Sequence, residues 1–186
     1  ARANYLLEFA PLTWLGNYLS YFSPGYLFLH GDLELRHSLL GMGQLHLFEL
    51  ATVPLGLFFL ARRQRWDDAP IGLWLLLYPI PAALTEPTHA IRSIVGAPLF
   101  ALLSACGLYQ LAMWVRGRMR WVAIAVCGGV IAWSVSLYGQ RYFVDYPDYA
   151  AVHWNYGMGQ ALHYAEAGAH GRVYISNRFF LPHIFA

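Results

Sequence analysis

Four long apolar runs, at about residues 39–61, 70–84, 91–115 and 121–138, constrain this chain more than any other feature of its sequence. A helix crosses a bilayer core with about 20 apolar residues, so the first and third runs are long enough and the fourth fits. The second is short unless it borrows flanking residues. Of the 186 residues, 58% are hydrophobic and 12% charged, and mean hydropathy is +0.41. That balance excludes an ordinary soluble domain and predicts an all-α integral membrane protein with about four transmembrane helices.

The links between runs set the orientation. Arg62-Arg63-Gln64-Arg65 and Arg116-Gly117-Arg118-Met119-Arg120 are short and densely basic, and the positive-inside rule puts both in the cytoplasm. Residues 1–38, 85–92 and 139–186 then face outside. The chain divides into an outer interfacial segment (1–38), a transmembrane part (39–139) and the start of an extracytoplasmic domain (140–186). In that last part a helical texture from Asp145 to Gly168 precedes a strand-like Arg172-Val173-Tyr174-Ile175-Ser176, the order of a first α/β unit. The aromatic-rich residues 1–29, broken by Pro11, Gly16, Pro24 and Gly25, read as a segment lying along the bilayer surface. Tyr78-Pro79-Ile80-Pro81 predicts a kinked or unwound end to the second run, and such backbone is tolerated at membrane depth only beside protein or a wet cavity.

Two polar motifs precede apolar runs. In His30-Gly31-Asp32-Leu33-Glu34-Leu35-Arg36-His37-Ser38, Asp32 reads as a helix N-cap with Arg36 and His37 in the first turns. In Glu86-Pro87-Thr88-His89-Ala90-Ile91-Arg92, Pro87 suits a first helical position. Arg36, His37, His89 and Arg92 together form a cationic cluster at the outer face, oriented by Asp32 and Glu86 and suited to a lipid-borne phosphate. The same residues admit other readings: Arg36 and Arg92 as interfacial anchors, or a divalent metal held through Asp32, His37, Glu86 and His89, although no specific metal spacing is present.

Other features carry less. His46 and Glu49 share a face of the first run, either as a functional pair within a span or as a structural hydrogen-bonded one. Ser93, Ala97, Ala101 and Ala105, and Gly128, Ala132 and Ser136, form small-residue ladders read as helix packing. Cys106 and Cys127 lie in different runs and predict neither a disulfide nor a zinc site. Ser38 and Ser93 lack a nucleophile-elbow context, no glycine-rich nucleotide loop occurs, and the scattered arginines do not make a nucleic-acid face.

The series Asn17-Tyr18-Leu19-Ser20-Tyr21-Phe22-Ser23-Pro24, Leu27-Phe28-Leu29-His30-Gly31-Asp32, Arg36-His37, then Gly41 and Gly43, resembles the later membrane half of bacterial glycosyltransferases of the GT-C fold. These are relatives of protein O-mannosyltransferases and of the lipid A aminoarabinose transferase. Tyr78 to Ser93 with Pro98, and Asp145-Tyr146-Pro147, resemble the same group. The resemblance implies an enzyme of the bacterial cytoplasmic membrane. It moves a sugar from a polyprenyl-phosphate donor to a lipid, glycan or protein acceptor on the extracytoplasmic side, and needs no organic cofactor. It also implies a catalytic carboxylate in a first outer loop. No residue here corresponds to it, so the chain reads as a fragment of a larger GT-C bundle that supplies donor phosphate binding. A transporter or flippase of lipid-linked sugars, or a non-enzymatic membrane partner, is the competing expectation. His46 and Glu49 alone favour transport, and the absence of an internal repeat speaks against it.

Overall fold

A computed structural model describes residues 11–168. All regular structure among them is helical: α1 (Pro11–Ser20), α2 (Glu49–Arg63), α3 (Ala69–Leu77), α4 (Ile80–Ala83), α5 (Ala97–Trp114), α6 (Arg118–Gln140), α7 (Tyr146–Ala150) and α8 (Met158–Gly168), with short 3-10 and π turns between them. The strand expected at 172–176 lies outside the described residues. The chain divides into two units, Ala1–Tyr138 and Gly139–Ala186.

Within the first unit, α2 and α5 lie side by side. Their backbones nearly touch at two glycines: a Cβ on Gly56 would overlap the Leu103 carbonyl oxygen, and one on Gly107 the Thr52 carbonyl oxygen. Backbones this close gain dispersion and weak Cα–H···O contacts that larger side chains would prevent. Beside them the hydroxyls of Thr52 and Ser104 share a buried 2.6 Å hydrogen bond, and further along Phe59 meets Trp114 edge-on at 5.1 Å. The side-chain pairs Thr52–Ser104 and Phe59–Trp114 rise together in number along both helices, so α2 and α5 run parallel. Their arginine-rich C-terminal ends therefore share one end of the unit, and both polar motifs, which precede the two helices, share the other. The chain returns between them through α3 and α4, and again through α6, whose Ser134 hydroxyl reaches His46 Nδ1 near the start of α2 at 2.9 Å.

Several expectations are corrected here. The first run is not helical from residue 39: residues 39–48 are turns, and α2 starts at Glu49. His46 thus precedes the helix, and its backbone N–H is received by the Glu49 carboxylate at 2.8 Å, an end-of-helix arrangement that satisfies an otherwise orphaned donor. The third run becomes helical only at Ala97, after turns over 90–93 and a 3-10 turn at Ile94–Gly96; Pro98, not Pro87, takes the first-turn place. The small-residue ladders are not the packed faces. Of their members only Ser93 is buried; Ala97, Ala101 and Ala105 are exposed, as are Gly128, Ala132 and Ser136, whereas Leu99, Phe100, Leu103, Ser104 and Gly107 are buried.

The break expected in the second run is present: α3 ends at Leu77, Tyr78 and Pro79 separate it from the single turn of α4, and both residues are buried. Of the aromatics before residue 30 that were expected along the bilayer surface, Tyr5 and Phe9 lie outside the described residues, and the others are buried or packed partly buried against the core. Tyr21, Tyr26 and Leu27 are buried, and Trp14, Tyr18, Phe22, Tyr78 and Phe100 form a continuous relay of ring contacts at 5.4–5.5 Å. Aromatic rings in such tilted and edge-on arrangements bury large apolar areas with favourable quadrupole contacts.

Two helices among the described residues, Ile94–Trp114 and Arg118–Ala150 with their turn extensions, are long and apolar enough to cross a membrane. The second buries none of its apolar window inside the protein, and presents Trp121, Ile124, Val130 and Trp133 outward. In the second unit, α7 and α8 carry the helical texture expected up to Gly168. There the Trp154 indole donates to the Tyr146 hydroxyl at 2.8 Å, and Tyr142 stacks on Tyr146.

The glycine contact yields a direct test. Gly107→Ala inserts a methyl against the Thr52 carbonyl, so it is expected to cost about 1–3 kcal/mol by overpacking, read as a lowered Tm in detergent. Gly128→Ala, with no atom within 4 Å, is expected to leave Tm unchanged or raise it. Equal losses in the two variants would refute the close approach of α2 and α5.

Candidate functional site

The two motifs meet, but not as helix N-termini. Asp32 is 6% exposed, and its carboxylate gathers both segments. Oδ1 accepts the Glu34 N–H at 2.9 Å in an Asx turn. Oδ2 accepts the Ala90 N–H at 2.8 Å and lies 3.2 Å from His37 Nδ1. The expected N-cap is therefore corrected: the carboxylate receives backbone donors from a local turn and from a segment 58 positions away, and Arg36 and His37 lie in turns. Gly31, with φ +65°, makes the preceding bend, and a Cβ there would also strike the Ser38 hydroxyl and the Met42 carbonyl.

The rings of His37 and His89 meet at a tilt of 31°, 4.7 Å between centroids, each side chain 15% exposed. His89 Nε2 lies 3.6 Å from Glu86 Oε1, and its Nδ1 accepts the Arg92 N–H at 3.4 Å. Thr88, just before it, holds φ +49°, a left-handed conformation uncommon for a β-branched residue. Such strain persists only where surrounding contacts fix it.

Those contacts come from three tyrosines that the motif reading missed. The Tyr21 hydroxyl donates to the Glu86 carbonyl at 3.0 Å and receives the His89 N–H at 3.1 Å. The Tyr78 hydroxyl donates to the Tyr21 carbonyl at 2.9 Å. Tyr26 and Ser93 share a buried 2.7 Å hydrogen bond, and the Ser93 hydroxyl reaches the His89 carbonyl at 3.0 Å. Burial pushes the Tyr21 and Tyr26 hydroxyls above the ordinary phenol range, so both remain protonated donors. Their only sequence signal was position: both fall inside the aromatic segment directly before the first motif.

The arginines are placed differently from the expectation of an open cationic cluster. Arg36 holds Glu34 through Nε at 3.1 Å and Nη2 at 3.2 Å, a two-point grip on a carboxylate. Arg92 is 44% exposed; its Nη1 donates to the Glu86 carboxylate and, at 2.6 Å, to the Thr85 hydroxyl. Its Nε and Nη2 have no partner among the described residues. Glu86 thus neutralises Arg92 more than it orients the cluster, and Glu34, not singled out in the sequence, does so for Arg36. A cavity of about 180 Å³ opens beside the histidines, lined by Tyr26, His37, Gln44, Tyr78, Ser93 and Phe100 among others. His46 and Glu49 take no part in it, being engaged with Ser134 and with the start of α2.

Asp32→Ala removes an acceptor from two backbone donors and from His37, and is expected to cost about 2–4 kcal/mol in chemical denaturation. Arg92→Ala breaks an exposed ion pair and is expected to cost no more than about 1 kcal/mol. If Asp32→Ala were as mild as Arg92→Ala, the carboxylate would not be the tie between the two segments.

Set against known proteins, the chain matches no family model, no curated protein and no solved structure.

Proposed function

We propose that this chain is the donor-binding part of a membrane glycosyltransferase of the GT-C type. In this reading it transfers a sugar from a polyprenyl-phosphate carrier to an acceptor on the extracytoplasmic side of the bacterial cytoplasmic membrane. One observation carries the proposal: residues 32–37 and 86–92, which bear the family-like motifs, converge into one polar site at the end of the unit away from the arginine-rich links. With those links in the cytoplasm, the site lies at the outer face, where a lipid phosphate resides. The apolar helices Ile94–Trp114 and Arg118–Ala150 support membrane residence.

The chemistry is a displacement at the anomeric carbon. A carboxylate from an outer loop with no counterpart in these residues takes the acceptor O–H proton, and the acceptor oxygen forms the new glycosidic bond. The bond from the anomeric carbon to the phosphate oxygen breaks, and its electron pair departs with the lipid phosphate. Arg92, through its unengaged Nε and Nη2, meets that growing charge, and Arg36, His37 and His89 complete the phosphate site. Asp32 and Glu86 hold these groups in place. Glu34 and Glu86 already balance the two guanidinium charges, so the site binds the donor phosphate without an unpaired cation in the resting state. The transport reading rests on His46 and Glu49, whose partners are the Ser134 hydroxyl at His46 Nδ1 and, at the Glu49 carboxylate, the His46 N–H.

The test uses the intact enzyme in membranes, supplied with radiolabelled polyprenyl-phosphate sugars and separated acceptors. Arg92→Ala is expected to lower transfer about 100-fold or more while expression and membrane insertion stay normal. Full transfer by that variant removes Arg92 from the site, and no transfer from any polyprenyl-phosphate sugar by the wild type overturns the reading.

A further inference from the structure

We propose that Asp32, His37 and His89 bind a divalent transition-metal ion of the zinc class. One nitrogen from each histidine and one oxygen from Asp32 lie within 4.8 Å of one another. His37 Nδ1 and Asp32 Oδ2 are separated by 3.2 Å. Two ligand atoms on a tetrahedral zinc ion stand about 3.3 Å apart, so this pair already has a chelating spacing, and His89 completes the set by moving closer. Two imidazoles and one carboxylate match the donor preference of zinc and its neighbours, and not that of calcium or magnesium, which favour all-oxygen shells.

The surroundings fit this use. Ligating carboxylates and histidines are commonly held by a second layer of hydrogen bonds. Here the Glu34 and Ala90 N–H groups fix both oxygens of Asp32. The backbone of the His89 segment is held by the Tyr21 and Ser93 hydroxyls. All three ligating side chains are mostly buried, and His37 also lines the cavity. Three protein ligands leave one coordination position open, as in zinc sites that act on a bound molecule. Under the transferase reading, and resting on it, that position takes an oxygen of the donor phosphate. Binding of the ion itself needs no such reading.

The intact protein, purified in detergent and stripped with a chelator, is titrated with zinc alone against a chromophoric competitor, and with cobalt(II) alone to read visible absorption. The wild type is expected to bind one equivalent tightly and to give cobalt the strong visible bands of a four-coordinate site. His37→Ala and His89→Ala are expected to weaken zinc binding about 100-fold or more, since even loss of an outer hydrogen-bond partner costs up to about that much. His163→Ala, in the second unit, is expected to bind as the wild type does. His89→Cys keeps a ligand in place and is expected to add a thiolate-to-cobalt charge-transfer band, which reports ligation even if the alanine variants fold poorly. A wild type that binds no zinc, alanine variants that bind it unchanged, or a His89→Cys protein without the new band overturns the proposal. A protein that binds zinc as described yet transfers no sugar keeps this inference and sinks the transferase reading.

Discussion

The carboxylate of Asp32 holds this structure's polar end together. Buried, it needs hydrogen-bond donors, and it finds them in a local turn, in the Ala90 N–H and beside His37. A buried acceptor left without hydrogen bonds costs about 1–3 kcal/mol, so the segment around residue 90 moves away only at the cost of leaving the Asp32 oxygen unsatisfied. The docking sets His37 beside the His89 segment and forms the side of the cavity lined by His37 and Ala90.

Beneath it lies a layer of tyrosines with two functions. Their rings pack into the core around Phe100 and Phe22, and their hydroxyls hold polar partners: Tyr21 the backbone at Glu86 and His89, Tyr26 the Ser93 hydroxyl, and Tyr78 the Tyr21 carbonyl. Tyrosine serves both purposes because one end is apolar and the other is a hydrogen-bond donor and acceptor. Lower still, Gly56 and Gly107 bring α2 and α5 together. Parallel alignment of those helices sends both preceding segments to the same end, where Asp32 can reach Ala90. Helix packing and polar chemistry are thus linked: the first sets which loops meet, and the second fixes how.

Much of the helical framework was legible. Runs of apolar residues gave α5 and α6, the prolines gave the break after Leu77, and the paired motifs named Asp32, Arg36, His37, Glu86, His89 and Arg92. The misreadings share a cause. Asp32 and Pro87 look like helix-starting residues, yet the local signal lost to tertiary hydrogen bonds that occupy the Asp32 carboxylate. The alanine and glycine ladders have the right spacing for packing, yet the close contact uses Thr52, Gly56, Leu103 and Gly107 instead, because only that face of each helix meets another. Tyr21 and Tyr26 were read as interfacial aromatics, since nothing in their own neighbourhood tells a headgroup ring from a core ring.

The sequence by itself determined that the described chain is helical, that arginines cluster at one set of links, and that two short polar motifs precede apolar runs. These properties depend on the order and periodicity of residues along the chain. Only the tertiary structure decided that Glu34 and Glu86 occupy the arginines, that Asp32 joins Ala90 across 58 positions, and that two histidines face one carboxylate. Such pairings depend on which loops a helix packing brings to the same place, and no local pattern encodes that meeting.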